Sequence, residues 1–220
     1  MNTNIQCFIP DWETPGHPGK QHAGRLYDQV SRIYPTTILN HPDDFFNAQW
    51  EKAKNLLTAD WLLWIMADVD LPENYQEMFK SMERTISRGD VGWWACDVAW
   101  TGYIYDRADL TEIEPGVCEV PNTDSLLFAV RADVARLTPR IDPEVSFMWG
   151  LDFAAIVTAE RMGLKTVRDY NFKAVHPNNS GYNIEAASWQ MKNLFESFDP
   201  TFQNDMNRRI AWCNKIKRRP

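Results

Sequence analysis

The chain has 220 residues, a formal net charge of −7 and a pI near 5.1, an acidic balance that argues against a nonspecific nucleic-acid binder, which needs a basic face. Apolar residues make up 44% and charged residues 24%, the profile of a folded globular domain rather than a disordered one. The length fits one domain, and no run of about 18 apolar residues predicts a membrane span.

Asn4 to Ile9 reads as a first strand, which Pro10-Asp11-Trp12 ends because proline cannot continue a ladder. Glu13 to Gly24 follows as a loop carrying Gly16, Gly19, Gly24, Pro15 and Pro18 with His17, Lys20 and His22. It matches no P-loop spacing, so a surface loop is favoured over a phosphate cradle. Leu26 to Ile33 is a short helical pattern, Thr36 to Leu39 a β-branched strand, and Asn40-His41-Pro42-Asp43 a turn at its exit. Phe46, Trp50, Ala53 and Leu57 recur at three and four residues and predict a helix over 46–57. Trp61 to Ala67 is the most apolar run and reads as a strand buried on both faces. Asp68 and Asp70 stand at its exit, and Pro72 precedes a helix from about Glu73 to Ile86. This alternation of strand and helix predicts right-handed crossovers and a parallel sheet.

Val91 to Trp100 is an aromatic strand, and Thr101 to Pro121 a long polar loop holding Tyr103 and Tyr105, of the kind that often binds ligands. Ser125 to Val130 is another strand, with a short helical piece from Ala132 to Leu137. Asp152 opens a helix with Phe153, Ile156, Val157 and Met162 on one face and Gly163 at the C′ position. Thr166 to Val167 and Phe172 to Val175 read as short strands, 176–181 as a turn-rich loop, and the remainder as one or two amphipathic helices. Arg208, Arg209, Lys215, Lys217, Arg218 and Arg219 form a basic end, read as a solvated helix terminus, with contact to an anionic membrane or partner as the rival. Ten tryptophans suggest a core and cleft rich in flat rings, on which sugars and bases stack. Cys7, Cys96, Cys118 and Cys213 form no Cys-x-x-Cys pair and read as reduced and structural. With no secretory pattern at the N-terminus, the expected location is cytoplasmic.

Two acids leaving a buried strand point at a site, because ligands of open α/β sheets bind outside the carboxyl ends of the strands. Carboxylate oxygens suit a hard divalent cation, which commonly brings a phosphate with it. The plainer reading of Asp68 and Asp70 is a helix-start pair before Pro72, but two acids at the end of a buried strand are costly for that purpose. Asp152 reads either as an N-cap or as a general base. His176 reads either as a metal ligand or as a turn histidine.

Asp68-Val69-Asp70 after its strand, Trp149-Gly150-Leu151-Asp152 opening a helix, and Ala174-Val175-His176 ending a later strand resemble, in order and spacing, a GT-A glycosyltransferase, especially of the family 2 type. Residues 59–72 resemble that family's strand, D-x-D motif and helix start. Residues 122–134 and 149–165 resemble its later strand, small helix and Gly-x-Asp helix, and His176 with Ser180 its closing element. The resemblance spans residues 4 to 181 and implies a single-domain α/β GT-A (Rossmann-like) fold, with a mostly parallel central sheet flanked by helices. It makes 1–182 the catalytic domain and 183–220 a C-terminal helical extension packed on it. The implied activity is metal-dependent transfer from a nucleotide sugar, a UDP- or GDP-sugar, to a carbohydrate or other hydroxyl acceptor, with inversion.

On this reading Asp152 is the base, and Asp68, Asp70 and His176 hold Mn2+ or Mg2+. Pro10, Asp11, Trp12, Asn40, Asp43 and Asp68 meet the donor, and Trp149, Trp100 and Tyr103 meet the acceptor. A second register aligns Met66-Ala67-Asp68 with the motif; Asp68 belongs to the site in both. The family's usual Glu-Asp pair is Leu151-Asp152 here. Two alternatives stand beside it: a sugar nucleotidyltransferase, whose glycine-rich loop after the first strand is ill-matched here, and a non-catalytic carbohydrate- or nucleotide-binding protein of the same fold.

Overall fold

The structure, a computed structural model, describes residues 3–11, 19–40, 46–99, 102–141, 147–176 and 183–216, with the backbone alone for 19–21 and 40. In chain order the elements are β1 (Ile5–Asp11), α1 (Gly19–Val30), β2 (Thr36–Asn40), α2 (Phe46–Leu56), β3 (Trp61–Ile65), α3 (Tyr75–Ile86) and β4 (Val91–Ala99). A hairpin of β5 (Thr111–Glu114) and β6 (Val117–Glu119) precedes β7 (Leu127–Arg131), α4 (Ala132–Leu137), α5 (Leu151–Arg161), β8 (Lys165–Val175), α6 (Ile184–Ser197) and α7 (Pro200–Ile216).

The strands form one sheet in the order β2-β1-β3-β7-β4-β8-β6-β5. The pairs β1–β2, β1–β3 and β4–β8 are parallel, whereas β3–β7, β4–β7, β5–β6 and β6–β8 are antiparallel. The mostly parallel sheet expected from the sequence is therefore corrected to a mixed one. Strand–helix alternation forces crossovers only as far as β4; β7 is reached from a hairpin and enters reversed, its Leu127 beside Ile65 at the exit of β3.

That hairpin lies inside the segment read as a loop. Thr-Glu-Ile-Glu and Val-Cys-Glu flank Pro115-Gly116, with Gly116 at φ 76°, so proline and a left-handed glycine make a tight turn. α1 begins at Gly19 rather than near Leu26, because Ala23, Leu26 and Val30 bury one face despite the glycines. β1 continues through Pro10 to Asp11; proline is tolerated there because the ladder to β3 has ended at Phe8↔Trp64, and the Pro10 carbonyl still accepts from Ala67 N at 3.3 Å. The two strands expected within 165–175 are one, whose register jumps between Cys96↔Asp169 and Asp97↔Lys173. Buried Asp169 anchors the jump, accepting from Ser81 Oγ at 2.7 Å and Asn171 N at 2.9 Å.

Helices cover both faces. α1 and α3 close one core around Cys7, Ile9, Leu63, Ile65, Phe79 and Trp94. α2, α4, α5 and α7 close the other around Trp50, Trp64, Trp93 and Phe128, with the Trp93 and Phe128 rings stacked 4.0 Å apart. α5 approaches β4 closely because Gly92 has no side chain; a Cβ there would lie 2.9 Å from Ala159 Cβ. Asp199 caps α7, accepting from Thr201 N and Phe202 N ahead of a proline at the helix start. The basic end is only partly the solvated terminus expected. Arg209 is buried, donating to Thr166 Oγ1 and lying 3.3 Å from Glu160, and Arg208 pairs with Glu160 and Asp205, so both tie α7 to α5 and Arg209 ties it to β8 as well. Lys217, Arg218 and Arg219 lie outside the described residues. All four cysteines are buried, and no described helix is long and apolar enough to cross a membrane.

Candidate active site

β1, β3, β4 and β8 end at one edge of the sheet, and the chemistry-bearing residues collect there. The reading of β3 as buried on both faces holds, all five residues being inaccessible. Asp68 and Asp70 follow it, and not as the start of a helix, since α3 begins at Tyr75 after Asn74. Asp70 is held by its backbone to the end of β8: its N donates to Val175 O at 2.8 Å and its O accepts from Val175 N at 2.9 Å. That bridge carries the next residue, His176, to Asp68, with Nε2 3.2 Å from Oδ2. Both side chains are largely buried, at 16% and 14% exposure.

The two acids diverge. Asp68 faces His176, whereas Asp70 is half-exposed and forms an ion pair with Arg25 of α1. Among the described residues no three His, Cys, Asp or Glu side chains converge to make a metal cage. An imidazole nitrogen and a carboxylate oxygen 3.2 Å apart are nevertheless a donor set that suits Mn2+, and Mg2+-type sites commonly take one or two protein ligands and fill the rest with substrate phosphate and water.

Asp152 stands at the head of α5. The helix runs away from this edge, because Ala159 near its other end packs on Gly92 at the start of β4. The N-cap is Gly150 at φ 93°, with no side-chain cap bond, so Asp152 is the second residue of the helix and the N-cap reading is corrected. Met148 also has a positive φ of 62°, and a Cβ on Gly150 would meet Phe195 Cε1 at 2.6 Å. The helix therefore starts from a tight left-handed turn wedged against α6. Asp152 is 7% exposed and accepts from Asn122 Nδ2 at 2.8 Å. Burial pushes its carboxyl up to about 7, with nearby Asp124 adding to the rise and Asn122 and the backbone N–H groups of Asp152 and Phe153 opposing it.

Tyr103 lies beside this acid. Its ring meets Phe153 edge-on at 6.1 Å, its carbonyl accepts from buried Arg168 at 2.6 Å, and burial, Asp152 and Asp124 all raise its hydroxyl, which stays neutral. Trp149 is half-buried in the turn before α5, and buried Asp11 ends β1, its carbonyl accepting from Gln49 Nε2 at 3.0 Å. Pro10 adjoins the Asp68 loop through Ala67. Asn40 ends β2 opposite Asp11. Trp12, Asp43 and Trp100 lie outside the described residues. The sequence reading missed Arg25 and Asn122. Arg25 is far from the motif and carries no signal of its own. Asn122 had one, as a polar residue next to Asp124 just before an apolar strand.

No family model and no curated protein matches this sequence. Solved structures do match its fold. GalNAc-T7, in a crystal structure with UDP, GalNAc and Mn2+, aligns with a TM-score of 0.59 at 10% identity, over 91% of this chain and 49% of that one. The fold is GT-A-like. This chain spans about half the length of GalNAc-T7. The crystal structure of A197 from STIV aligns with a TM-score of 0.52 at 16% identity, over 80% of this chain and 86% of that one. At such identities the likeness concerns architecture, and it does not single out family 2.

Proposed function

We propose that the protein is a metal-dependent, family 2-like glycosyltransferase that moves a sugar from a UDP- or GDP-sugar to an acceptor hydroxyl with inversion. The observation that carries this reading is Asp152, a buried carboxylate pushed up to about 7 at a helix head beside the edge where Asp68 meets His176. A base with a pKa near the working pH combines a large ionised fraction with a strong pull on the proton, and contributes about 10² to 10⁴ in rate. The GT-A-like fold supports the class, since GalNAc-T7 was crystallised with a nucleotide, a sugar and Mn2+.

In this reading Asp68 and His176 would hold Mn2+ or Mg2+, with Asp70 a further ligand in place of its ion pair with Arg25. The bound ion supplies Lewis-acid stabilisation of the departing diphosphate. Asp152 removes the proton of the acceptor hydroxyl as its oxygen attacks the anomeric carbon from the face opposite the leaving group. Tyr103 and Trp149 serve the acceptor side, to which the family resemblance alone assigns Trp100. Pro10 and Asp11 meet the nucleoside, to which the family resemblance alone assigns Trp12, Asn40 and Asp43. Residues 1–182 form the catalytic domain, with 183–220 a helical extension on it, and the protein acts in the cytoplasm. A second reading, a nucleotide-binding protein without turnover, is favoured by one observation, the engagement of Asp70 by Arg25.

The test is incubation with Mn2+ and individual nucleotide sugars, following release of nucleoside diphosphate. Release with one donor, lost in Asp152→Asn while donor binding persists, is the expected result. Mn2+-dependent binding without release selects the second reading, and no binding of any nucleoside diphosphate overturns both.

A further inference from the structure

Asn122 is fully buried, and its position is fixed from three directions. Its carbonyl accepts from Tyr105 Oη at 3.1 Å, the adjacent Thr123 Oγ1 accepts from Trp93 Nε1 at 2.9 Å, and its own Nδ2 donates to Asp152 Oδ2 at 2.8 Å. The same amide lies in hydrogen-bonding reach of the Tyr103 hydroxyl. Its Oδ1, by contrast, is buried and has no hydrogen-bond partner among the described residues. A buried amide oxygen left idle is unfavourable, and for a purely structural asparagine it has no use.

An amide beside a carboxyl group that changes protonation has a use for both ends. The N–H end donates to the carboxylate, and the oxygen end accepts from the carboxylic acid O–H. We infer that Asn122 is the positioning residue for Asp152, orienting its ionised form through Nδ2 and, after a half-turn of the amide, its protonated form through Oδ1. This inference rests on Asp152 being the base of the proposed transfer. The proton balance is simple: the acceptor hydroxyl loses its proton to Asp152 as the new C–O bond forms, the Asp152 O–H then donates to Asn122 Oδ1, and release of that proton to water returns the amide to its first orientation.

Burial and a small set of neighbours among the described residues set the ionisation of Asp152. Asp124, from the segment before β7, opposes its ionisation. Tyr103, after β4, is neutral, and α6 brings Met191, Leu194 and Phe195 to the adjoining Gly150. The backbone N–H groups at the head of α5 and the Asn122 amide are thus what favour the charged form. Removing the amide leaves the helix N–H groups alone to oppose burial and Asp124, so the carboxylate loses its main side-chain donor.

The test is a carbon-13 NMR titration of the Asp152 carboxyl, assigned with Asp152→Asn, in the parent and in Asn122→Leu; Asn122→Ala serves if the leucine variant does not fold. The expected result is an upward move of the Asp152 midpoint by about one pH unit or more, with Mn2+-dependent binding of nucleoside diphosphate unchanged. The acid limb of the transfer rate moves up by the same amount. A folded variant in which the Asp152 midpoint stays put overturns the inference. A parent that turns over no nucleotide sugar overturns the proposed function instead, and the NMR titration needs no turnover.

Discussion

If burial holds Asp152 near 7, the acid is a burden on the folded state at alkaline pH, and Asp152→Asn should relieve it. The sign follows from the two protonation equilibria. The folded value, about 7, lies above the ordinary 3.8 of the unfolded chain, so the native state prefers the protonated form. The stabilisation from that preference is complete below about pH 4 and is lost progressively as the pH rises through 7. The gap is about 3 pH units, and each is worth 1.36 kcal/mol, so the parent forfeits about 4 kcal/mol between pH 4 and pH 8.5.

Asparagine cannot ionise and escapes this loss, but it has one acceptor oxygen fewer, which costs about 1 kcal/mol at every pH. Asp152→Asn is therefore expected to be about as stable as the parent, or slightly less so, at pH 4.5, and about 3 kcal/mol more stable at pH 8.5. For a chain of this size that corresponds to a rise in Tm of roughly 6–12 °C at the higher pH. The assay is thermal unfolding of both proteins across this range, reading only their difference, since every other titrating group is shared. A difference that stays flat with pH, or a variant less stable than the parent at pH 8.5, refutes the reasoning and returns Asp152 to an ordinary ionised carboxylate.

Two further outcomes follow from the geometry. Gly150→Ala puts a Cβ at a φ of 93°, 2.6 Å from Phe195 Cε1, and left-handed strain with overpacking should remove roughly 2–5 kcal/mol in urea unfolding; a loss under about 1 kcal/mol shows that the turn before α5 is plastic. Arg25→Ala frees Asp70 from an exposed ion pair worth about 0–1 kcal/mol, so Mn2+ affinity measured by calorimetry with UDP present should rise by up to about fivefold. An unchanged affinity shows that the ion pair with Arg25 does not compete with metal binding.

Much of the fold was legible locally. A strand of five buried residues followed by two acids, a helix repeating Phe46, Trp50 and Ala53, and a helix ended by Gly163 at φ 73° are each encoded in a short window, where periodicity and capping act over a few residues. The β5–β6 hairpin was legible too, from Pro115-Gly116 between β-prone runs. The polarity of the surrounding segment masks it, since edge strands are polar by nature. α1 was shortened because glycines argue against helix locally, whereas burial of Ala23 and Leu26 overrides that preference.

By itself the sequence singled out the candidate site residues: Asp68 and Asp70 after a buried strand, Asp152 near a glycine-led helix start, and His176 at a strand end. Only the tertiary structure decided their company. The Asp70–Val175 bridge brings His176 to Asp68, α1 takes Asp70 for Arg25, and the reversed entry of β7 carries Asn122 past Asp152. The physical reason is range. Propensity and pattern act between neighbours in the chain, whereas a carboxyl group's pKa and its partners are set by burial and by charges brought from segments 30 to more than 100 residues away.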